Sequence, residues 1–429
     1  MVGHPTGVPA LQQGRVPPLT PAQIRRLLSP EGRAAVAAAE GLDLSANSRL
    51  QAAQAVRGAA GPELGPLALE QALLRSRARA KHPRGAELWW TGPALEQATS
   101  AEVAAWRAAR FDGPVLDLCC SVGGDLLALP EGSVGVDLDE ARLLLARANS
   151  EVLGRSVPLL CADVTRLLLP PSADVFVDPG RRAGARRVFD PRAYSPALAE
   201  VLAWRERVRS LTVKVAPGID YSDLPADVEV ELVSLRGEVK EAVLRAGASR
   251  QGAARSASLL PAGDVLVDTS VAEPLVRTPG RWLLEPDGAV VRAHLVEQVV
   301  AGVGGWLLDR TIAYVSADLP TPTPFGTWFE VLEVMPFGLK PLRQRLRAYD
   351  AGPLVVKKRG TAVEPDVLRA KLKLTGSREV TVVLTRSAGR QIAMIVRRVA
   401  VSAPAGSASE PAQRPPDPPG HPGQASDHP

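Results

Sequence analysis

The chain has 429 residues, 45% of them apolar, and a net charge of +5 from 51 basic and 46 acidic side chains. That length suggests two or three domains with real cores. No apolar stretch reaches the ~18 residues of a membrane span, and the start, MVGHPTGVPALQQGRVPPL, lacks the basic-then-apolar order of a secretory signal. Three cysteines cannot build a disulfide framework and fit a reducing cytoplasm, and no Cys/His spacing reads as a metal site.

In chain order, residues 1–19 are Pro/Gly-rich and expected to be disordered. Residues 20–110 read as a helical region. Thr20-Pro21 and Ser29-Pro30 each place a capping residue before a first-turn proline, and Thr99 with Glu102 has capping-box spacing before SAEVAAWRAARF. From 111 to 277 the period changes. The strand-like runs VLDL, VGVDL, PLLCADV, ADVFVDP and LTVKVAP alternate with helical segments such as DLLALP and EARLLLARAN. This pattern predicts βαβ units around a mostly parallel sheet. VEVELVSL and EVKEAVLRA, flanking Arg236-Gly237, are expected to form an antiparallel pair at its edge. Residues 278–400 read as a small α+β module: a short strand pair around Pro286-Asp287-Gly288, the helix RAHLVEQVVAG, then WFEVLEVMPF, GLKPLRQRLRAYD, GPLVVKKRG and EPDVLRAKLKL. It ends in a hairpin across Ser387-Ala388-Gly389. Residues 401–429 form a Pro/Gly/Ser tail that cannot build a core.

The stretch VLDLCCSVGGDLLAL carries the first candidate site. Asp117 ends its strand, and Gly123 and Gly124 stand at the expected turn into a helix, where a ligand can approach free backbone N–H groups. A tight structural turn explains that loop equally well. Asp137, twenty residues on, ends the second strand and can accept from both ribose hydroxyls, which fits a nicotinamide cofactor as well as other nucleosides. Asp163 ends the third strand, where a carboxylate can meet an adenine amino group or cap a turn. Asp178-Pro179 then ends the fourth strand, on the side where open α/β sheets keep their active sites. A dehydrogenase sheet has no reason for that dipeptide.

Together these residues resemble the class I S-adenosylmethionine-dependent methyltransferases over roughly residues 112–245, which implies a Rossmann-like sheet. On that resemblance Asp117 to Gly124, with Cys119 and Ser121 in the loop, holds the methionine part of the cofactor. Asp137 holds the ribose, followed by ARAN at Ala146–Asn149, and Asp163 lies on the adenine side. Asp178-Pro179 matches the first half of the Asp/Asn-Pro-Pro motif of enzymes that methylate amino nitrogens of nucleobases. The VGGD turn is also similar to guanine-N2 methyltransferases acting on RNA caps. More closely, the chain resembles bacterial methyltransferases with a C-terminal THUMP-like domain, through GPLVVKKRG and VVLTR. Two residues depart from the pattern. Ser121 stands where the fold usually has a loop glycine, and Gly180 replaces the second proline with no aromatic after it. Arg181 and Arg182 are therefore expected to stack on a base or bind phosphate. Cys119 and Cys120 read as small packed side chains rather than nucleophiles.

The charge distribution names a partner class. Pro336 to Arg398 holds 15 Lys/Arg against 4 Asp/Glu, a net of +11, which leaves about −6 on the rest. A basic module on an acidic body is the footprint of polyanion binding, here RNA, with Lys357, Lys358 and Arg359 as expected phosphate contacts. The expected function is methylation of a nucleobase amino nitrogen in RNA, guanine N2 favoured. The alternatives are a non-catalytic RNA-binding protein with a degenerate cofactor site, and a methyltransferase acting on a protein or small molecule.

Overall fold

The computed structural model describes residues 18–181 and 194–401. Arg182 and most of the two terminal stretches read as loose lie outside these residues. The N-terminal region is helical: α1 (Pro21–Leu28), α2 (Pro30–Glu40), α3 (Arg49–Ala78), α4 (Gly92–Gln97) and α5 (Ala101–Ala108). Thr20 and Gln23 close a capping box on α1, and Ser29 caps α2 through Gly32 N–H. The α3 span is two helices across a kink at Gly61, whose φ of +82° no helix accommodates. The box expected from Thr99 and Glu102 does not form. Ser100 is the N-cap of α5, one residue past Thr99, and Glu102 pairs instead with Arg236.

The central body begins with β1 (Val115–Leu118), β2 (Val134–Asp137), α6 (Glu140–Val152), β3 (Leu159–Cys161) and β4 (Asp174–Val177). It continues through the short β5 (Gly180–Arg181) and β6 (Tyr194–Ser195), α7 (Leu198–Ala203) and β7 (Ser210–Val215). Then come β8 (Glu229–Leu235), β9 (Glu238–Gly247), β10 (Arg255–Leu260) and β11 (Asp264–Val267). The nine-stranded sheet has the order β11-β10-β8-β9-β7-β4-β1-β2-β3. Strands β3, β2, β1, β4 and β7 are parallel, and β9 runs antiparallel to both β7 and β8. The expected antiparallel pair is present but does not close the edge, because β10 and β11 add two further strands beyond β8. The helix expected over DLLALP is a single turn. Leu127 N–H bonds Gly123 O, tighter turns follow, and Pro130 ends the run before a second turn can close.

The C-terminal body comprises β12 (Trp282–Pro286), α8 (Gly288–Arg292), α9 (Val296–Val303), β13 (Trp306–Asp309), β14 (Ile312–Ala317) and β15 (Gly326–Pro336). After these come α10 (Leu339–Ala348), β16 (Ala351–Lys358), α11 (Pro365–Leu372), β17 (Arg378–Ser387) and β18 (Arg390–Arg398). Its seven strands are ordered β13-β14-β12-β15-β18-β17-β16. The strand pair expected around Asp287 is instead a strand followed by a helix, since the Asp287 carboxylate caps α8 at Ala289 N–H. The helix expected over RAHLVEQVVAG breaks at His294, whose φ is +59°. Leu342 and Leu346 of α10 and Leu368 and Leu372 of α11 pack on one face of this sheet. The two bodies share apolar packing, with Ala289, Val290 and Ala293 in one cluster with Val230, Leu232 and Ala242.

Candidate active site

Parallel strands place their carboxyl ends on one side of a sheet, so residues far apart in sequence meet there. Asp117, Cys119, Ser121, Gly124, Asp137, Asp163 and Asp178 all line one cleft of about 570 Å³. Gly123 sits in the same loop with φ +88°. Pro179 is buried directly behind Asp178. Arg181 belongs to β5, next to Gly180 on the cleft wall.

The loop after β1 is tightly turned. Cys119 and Ser121 hold φ of +68° and +52°, the left-handed region that favours glycine. Sequence singled out Ser121; Cys119 shares its conformation. The Cys119 thiol is pushed well above its usual range, by burial first and then by Asp137, so it stays protonated and unreactive. Asp137 stabilises the turn, accepting from Ser121 N–H at 2.9 Å and from Asp139 N–H at 2.9 Å. Each carboxylate oxygen keeps a lone pair for a ligand. Asp163 accepts from the Thr165 N–H and hydroxyl at 3.0 and 2.8 Å, which lowers its pKa.

Asp117 is different. Its side chain is 1% exposed, and neither carboxylate oxygen has a hydrogen-bond partner among the described residues. Burial, then the charges of Asp125 and Asp178, raise its pKa well above the usual range. A buried carboxylate without a partner, at the wall of a cleft, is a seat for a cationic or N–H-donating ligand group. Asp137 beside it suits a vicinal diol. A ligand carrying an ammonium, a sulfonium and a ribose fits this set, so the residues present fit S-adenosylmethionine.

Behind the acids lies a buried charged network that sequence reasoning missed. Lys214, on β7, donates to Asp178 Oδ2 at 2.7 Å and to Thr99 Oγ1 at 2.8 Å, and its ammonium is 3.8 Å from Asp125. Thr99 donates in turn to Asp125 at 3.0 Å. Arg107, 2% exposed, bridges Asp125 and Glu241. Burial alone would lower the Lys214 pKa, but Asp178 and Asp125 overcome it and hold the ammonium charged. Burial raises the Asp178 pKa against the pull of Lys214, with Asp125 adding to the rise. The one signal available in the sequence was a lysine inside the apolar run LTVKVAP.

The N-terminal region forms part of the site. Ala94, Gln97 and Ala98, in and just after α4, line the cleft. Asn149, the last residue of ARAN, accepts from Trp89 N–H at 2.6 Å and donates to Trp89 O at 3.0 Å and to Val122 O at 2.9 Å. That one amide ties the helical region to the loop after β1.

The expected phosphate contacts are engaged within the C-terminal body. Lys357 pairs with Glu285 at 2.6 Å and lies 5.5 Å from the Phe329 ring. Lys358 pairs with Glu364 at 2.7 Å. Arg359 lies 5.2 Å from the Tyr314 ring and donates to Pro286 O at 3.3 Å. In contrast, Lys340, Arg343, Arg347, Lys371 and Lys373 have no ion-pair partner among the described residues, and all but Arg343 are exposed. Lys340 and Arg347 sit on the face of α10 away from Leu342 and Leu346, and Arg343 on its flank. Arg343 joins the two helices by donating to Lys371 O.

Comparison with known proteins decides the family. Residues 326–398 match the family described as THUMP domain-like, and residues 20–78 match a domain of unknown function. Mycobacterium tuberculosis, in its CDC 1551 / Oshkosh and H37Rv strains, has a protein described as an uncharacterized S-adenosylmethionine-dependent methyltransferase. It is 42% identical to this chain over 337 residues, which cover 75% of this chain and 92% of the relative. The chain belongs to the S-adenosylmethionine-dependent methyltransferases. A Porphyromonas gingivalis W83 protein, solved as a candidate methyltransferase, shares the fold over 89% of this chain and 95% of its own. The TM-score is 0.62 at 19% identity. The methyltransferase has no helix among its described residues long and apolar enough to cross a membrane. No group of His, Cys, Asp or Glu among those residues could hold a metal ion.

Proposed function

We propose that this methyltransferase methylates an exocyclic amino nitrogen of a nucleobase in RNA, guanine N2 favoured. The observation that carries the reading is Asp178-Pro179 at the end of β4, in the same cleft as Asp117, Asp137 and Asp163. In this reading Asp117 takes the ammonium of the methionine part and Asp137 takes the ribose hydroxyls. Asp163 faces the adenine, and the loop from Cys119 through Ser121 to Gly123 and Gly124 wraps the methionine chain. Bound there, the sulfonium of S-adenosylmethionine supplies the electrophilic methyl group.

An exocyclic amine is a poor nucleophile because its lone pair is delocalised into the ring. Asp178 Oδ1 and the Pro179 carbonyl accept the amine's N–H bonds and localise that pair on nitrogen. Held by Asp117 and Asp137, the cofactor would supply the methyl group and would retain the C–S electron pair on its sulfur. The proton on the methylated nitrogen then passes to Asp178. The target base has to be unstacked, at a cost of roughly a few kcal/mol in a duplex. Phosphate contacts offset that cost. The free cations of α10 and α11 suit this role better than Lys357 and Lys358, whose charges are paired within the fold, or Arg359, which is held by the Pro286 carbonyl and the Tyr314 ring. Arg181 and Arg182, just past Gly180, are assigned to the nucleotide itself.

The test offers labelled S-adenosylmethionine and the full-length protein three acceptor pools from a strain lacking the gene: RNA, protein and small molecules. Label entering RNA, lost on ribonuclease treatment and declining with added salt, is the expected result. Label entering only protein or small molecules would overturn the RNA assignment.

A further inference from the structure

Lys214 is a largely buried ammonium inside an apolar strand, and it does not line the cleft. It is 14% exposed. Its three contacts come from three different parts of the chain: Asp178 at the end of β4, Asp125 in the loop after β1, and Thr99 just before α5. Asp178 is the only one of these that also opens well into the cleft, with 31% of its side chain exposed. We propose that Lys214 is the positioning residue for the acceptor-binding carboxylate: it fixes Asp178 Oδ2 and leaves Oδ1 turned to the acceptor amine. The inference rests on the assignment of Asp178 to the acceptor.

The surrounding charges explain why such a residue is needed. Asp178 faces Asp117 from β1, Asp125 from the following loop, Lys214 from β7 and Arg107 from α5; Lys214 itself also feels Glu241 from β9. Three carboxylates in one enclosed space cannot all stay ionised without a cation among them. Arg107 is committed to Asp125 and Glu241, so Lys214 is the cation that remains for Asp178. A neutral Asp178 would present a donor to an amine that is itself a donor, and could not receive the product proton. Thr99 gives the arrangement a second function. Its hydroxyl accepts from Lys214 and donates to Asp125, so the helical N-terminal region holds the lysine in register. A surface salt bridge tolerates a freely rotating lysine; this one has its hydrogen bonds directed at fixed partners.

The test compares wild type, Lys214→Met, Lys214→Arg and Thr99→Val in the full chain. The acceptor is RNA from a strain lacking the gene, and turnover is measured across pH. Lys214→Met is expected to bind S-adenosylmethionine within about twofold of wild type and to turn over ~10²-fold more slowly at neutral pH, the scale of a lost positioning contact. Its acid limb should move upward by roughly one pH unit or more, because the carboxylate loses a nearby cation. Lys214→Arg should recover most of the rate and the limb. Thr99→Val should shift the limb the same way by less, and it carries the comparison if Lys214→Met does not fold. An unshifted limb, or Lys214→Arg no better than Lys214→Met, would overturn the proposal. If wild type transfers nothing to RNA, the RNA assignment fails alone. Lys214 is then tested on the ¹³C carboxyl resonance of Asp178, identified by its loss in Asp178→Asn. Titration at higher pH in Lys214→Met than in wild type supports the role, and identical titration overturns it.

Discussion

Lys214 Nζ lies 2.7 Å from Asp178 Oδ2, joining β7 to the end of β4 under the floor of the cofactor cleft. The pair links two charges that differ in exposure, 14% for the lysine and 31% for the carboxylate. A half-open carboxylate held from behind is suited to orienting a donor, whereas the wholly enclosed Asp117 is suited to receiving a cation. On the proposed reading, the two acids divide the cleft into an acceptor side and a cofactor side.

Asp117 predicts a conflict between stability and binding. Burial raises its folded-state pKa well above the unfolded value, so its contribution to stability is present at acid pH and is lost as pH rises towards the folded pKa. Asp117→Asn should therefore raise the melting temperature of the cofactor-free protein at neutral pH, by the equivalent of ~1 kcal/mol or more, the cost of an unsatisfied buried group. The same change should weaken S-adenosylmethionine. Calorimetry on wild type in buffers of different ionisation enthalpy should show proton release on binding, with affinity rising as pH rises. A melting temperature that falls, with affinity unchanged, would contradict the role.

Asp137→Ala removes the acceptors assigned to the ribose hydroxyls and the carboxylate that pins Ser121 N–H. Affinity for S-adenosylmethionine should fall by ~1.5–3 kcal/mol, the range for hydrogen bonds to a charged group. Calorimetric titration reads this directly, and an unchanged dissociation constant would remove Asp137 from the site.

Ser121→Gly should keep or tighten cofactor binding and stabilise the loop. At φ +52° a Cβ costs ~1–2 kcal/mol that glycine does not incur. Cys119, at φ +68°, should respond in the same direction. A large loss of affinity in Ser121→Gly would show that the hydroxyl itself touches the ligand.

Two triple variants separate the two basic groups. Lys340→Ala, Arg347→Ala and Lys371→Ala together remove cations with no ion-pair partner among the described residues, so RNA affinity and its salt dependence should both fall. The slope of log affinity against log salt should drop by ~0.7 per lost contact on a single strand. Lys357→Ala, Lys358→Ala and Arg359→Ala together leave Glu285 without its partner, so they should lower stability more than salt slope. Filter binding across a salt series, with thermal melts alongside, distinguishes them. The reverse pattern would return the phosphate contacts to Lys357, Lys358 and Arg359.

The acids of the site were legible because each lies at or near the carboxyl end of an apolar run, and parallel strands bring such ends together. Asp117, Asp137, Asp163 and Asp178 needed only that rule to meet in one cleft. What stayed hidden depends on contacts between distant residues. Thr99 has the local spacing of a cap, but Lys214 and Asp125 claim its hydroxyl. Lys357 reads as a free cation until Glu285, far away in sequence, is seen beside it. DLLALP has helical composition, yet Pro130 leaves room for one turn. Strand β10 is short and mixed in polarity, with burial that gives no clean alternation, and β11 alternates over only four residues, so periodicity missed them.

The most direct measurement complements a strain lacking the gene with wild type, Asp178→Ala or Asp178→Asn, and quantifies methylated nucleosides in its RNA by mass spectrometry. One methylated nucleoside, N2-methylguanosine on the favoured assignment, should disappear in the deletion and return with wild type. It should stay at background with Asp178→Ala, whose turnover falls ~10²-fold or more, and return partly with Asp178→Asn, which still has an oxygen to accept the amine. Cofactor affinity should be nearly the same in all three proteins. A nucleoside profile identical in every strain, or full restoration by a stably expressed Asp178→Ala, would contradict the assignment.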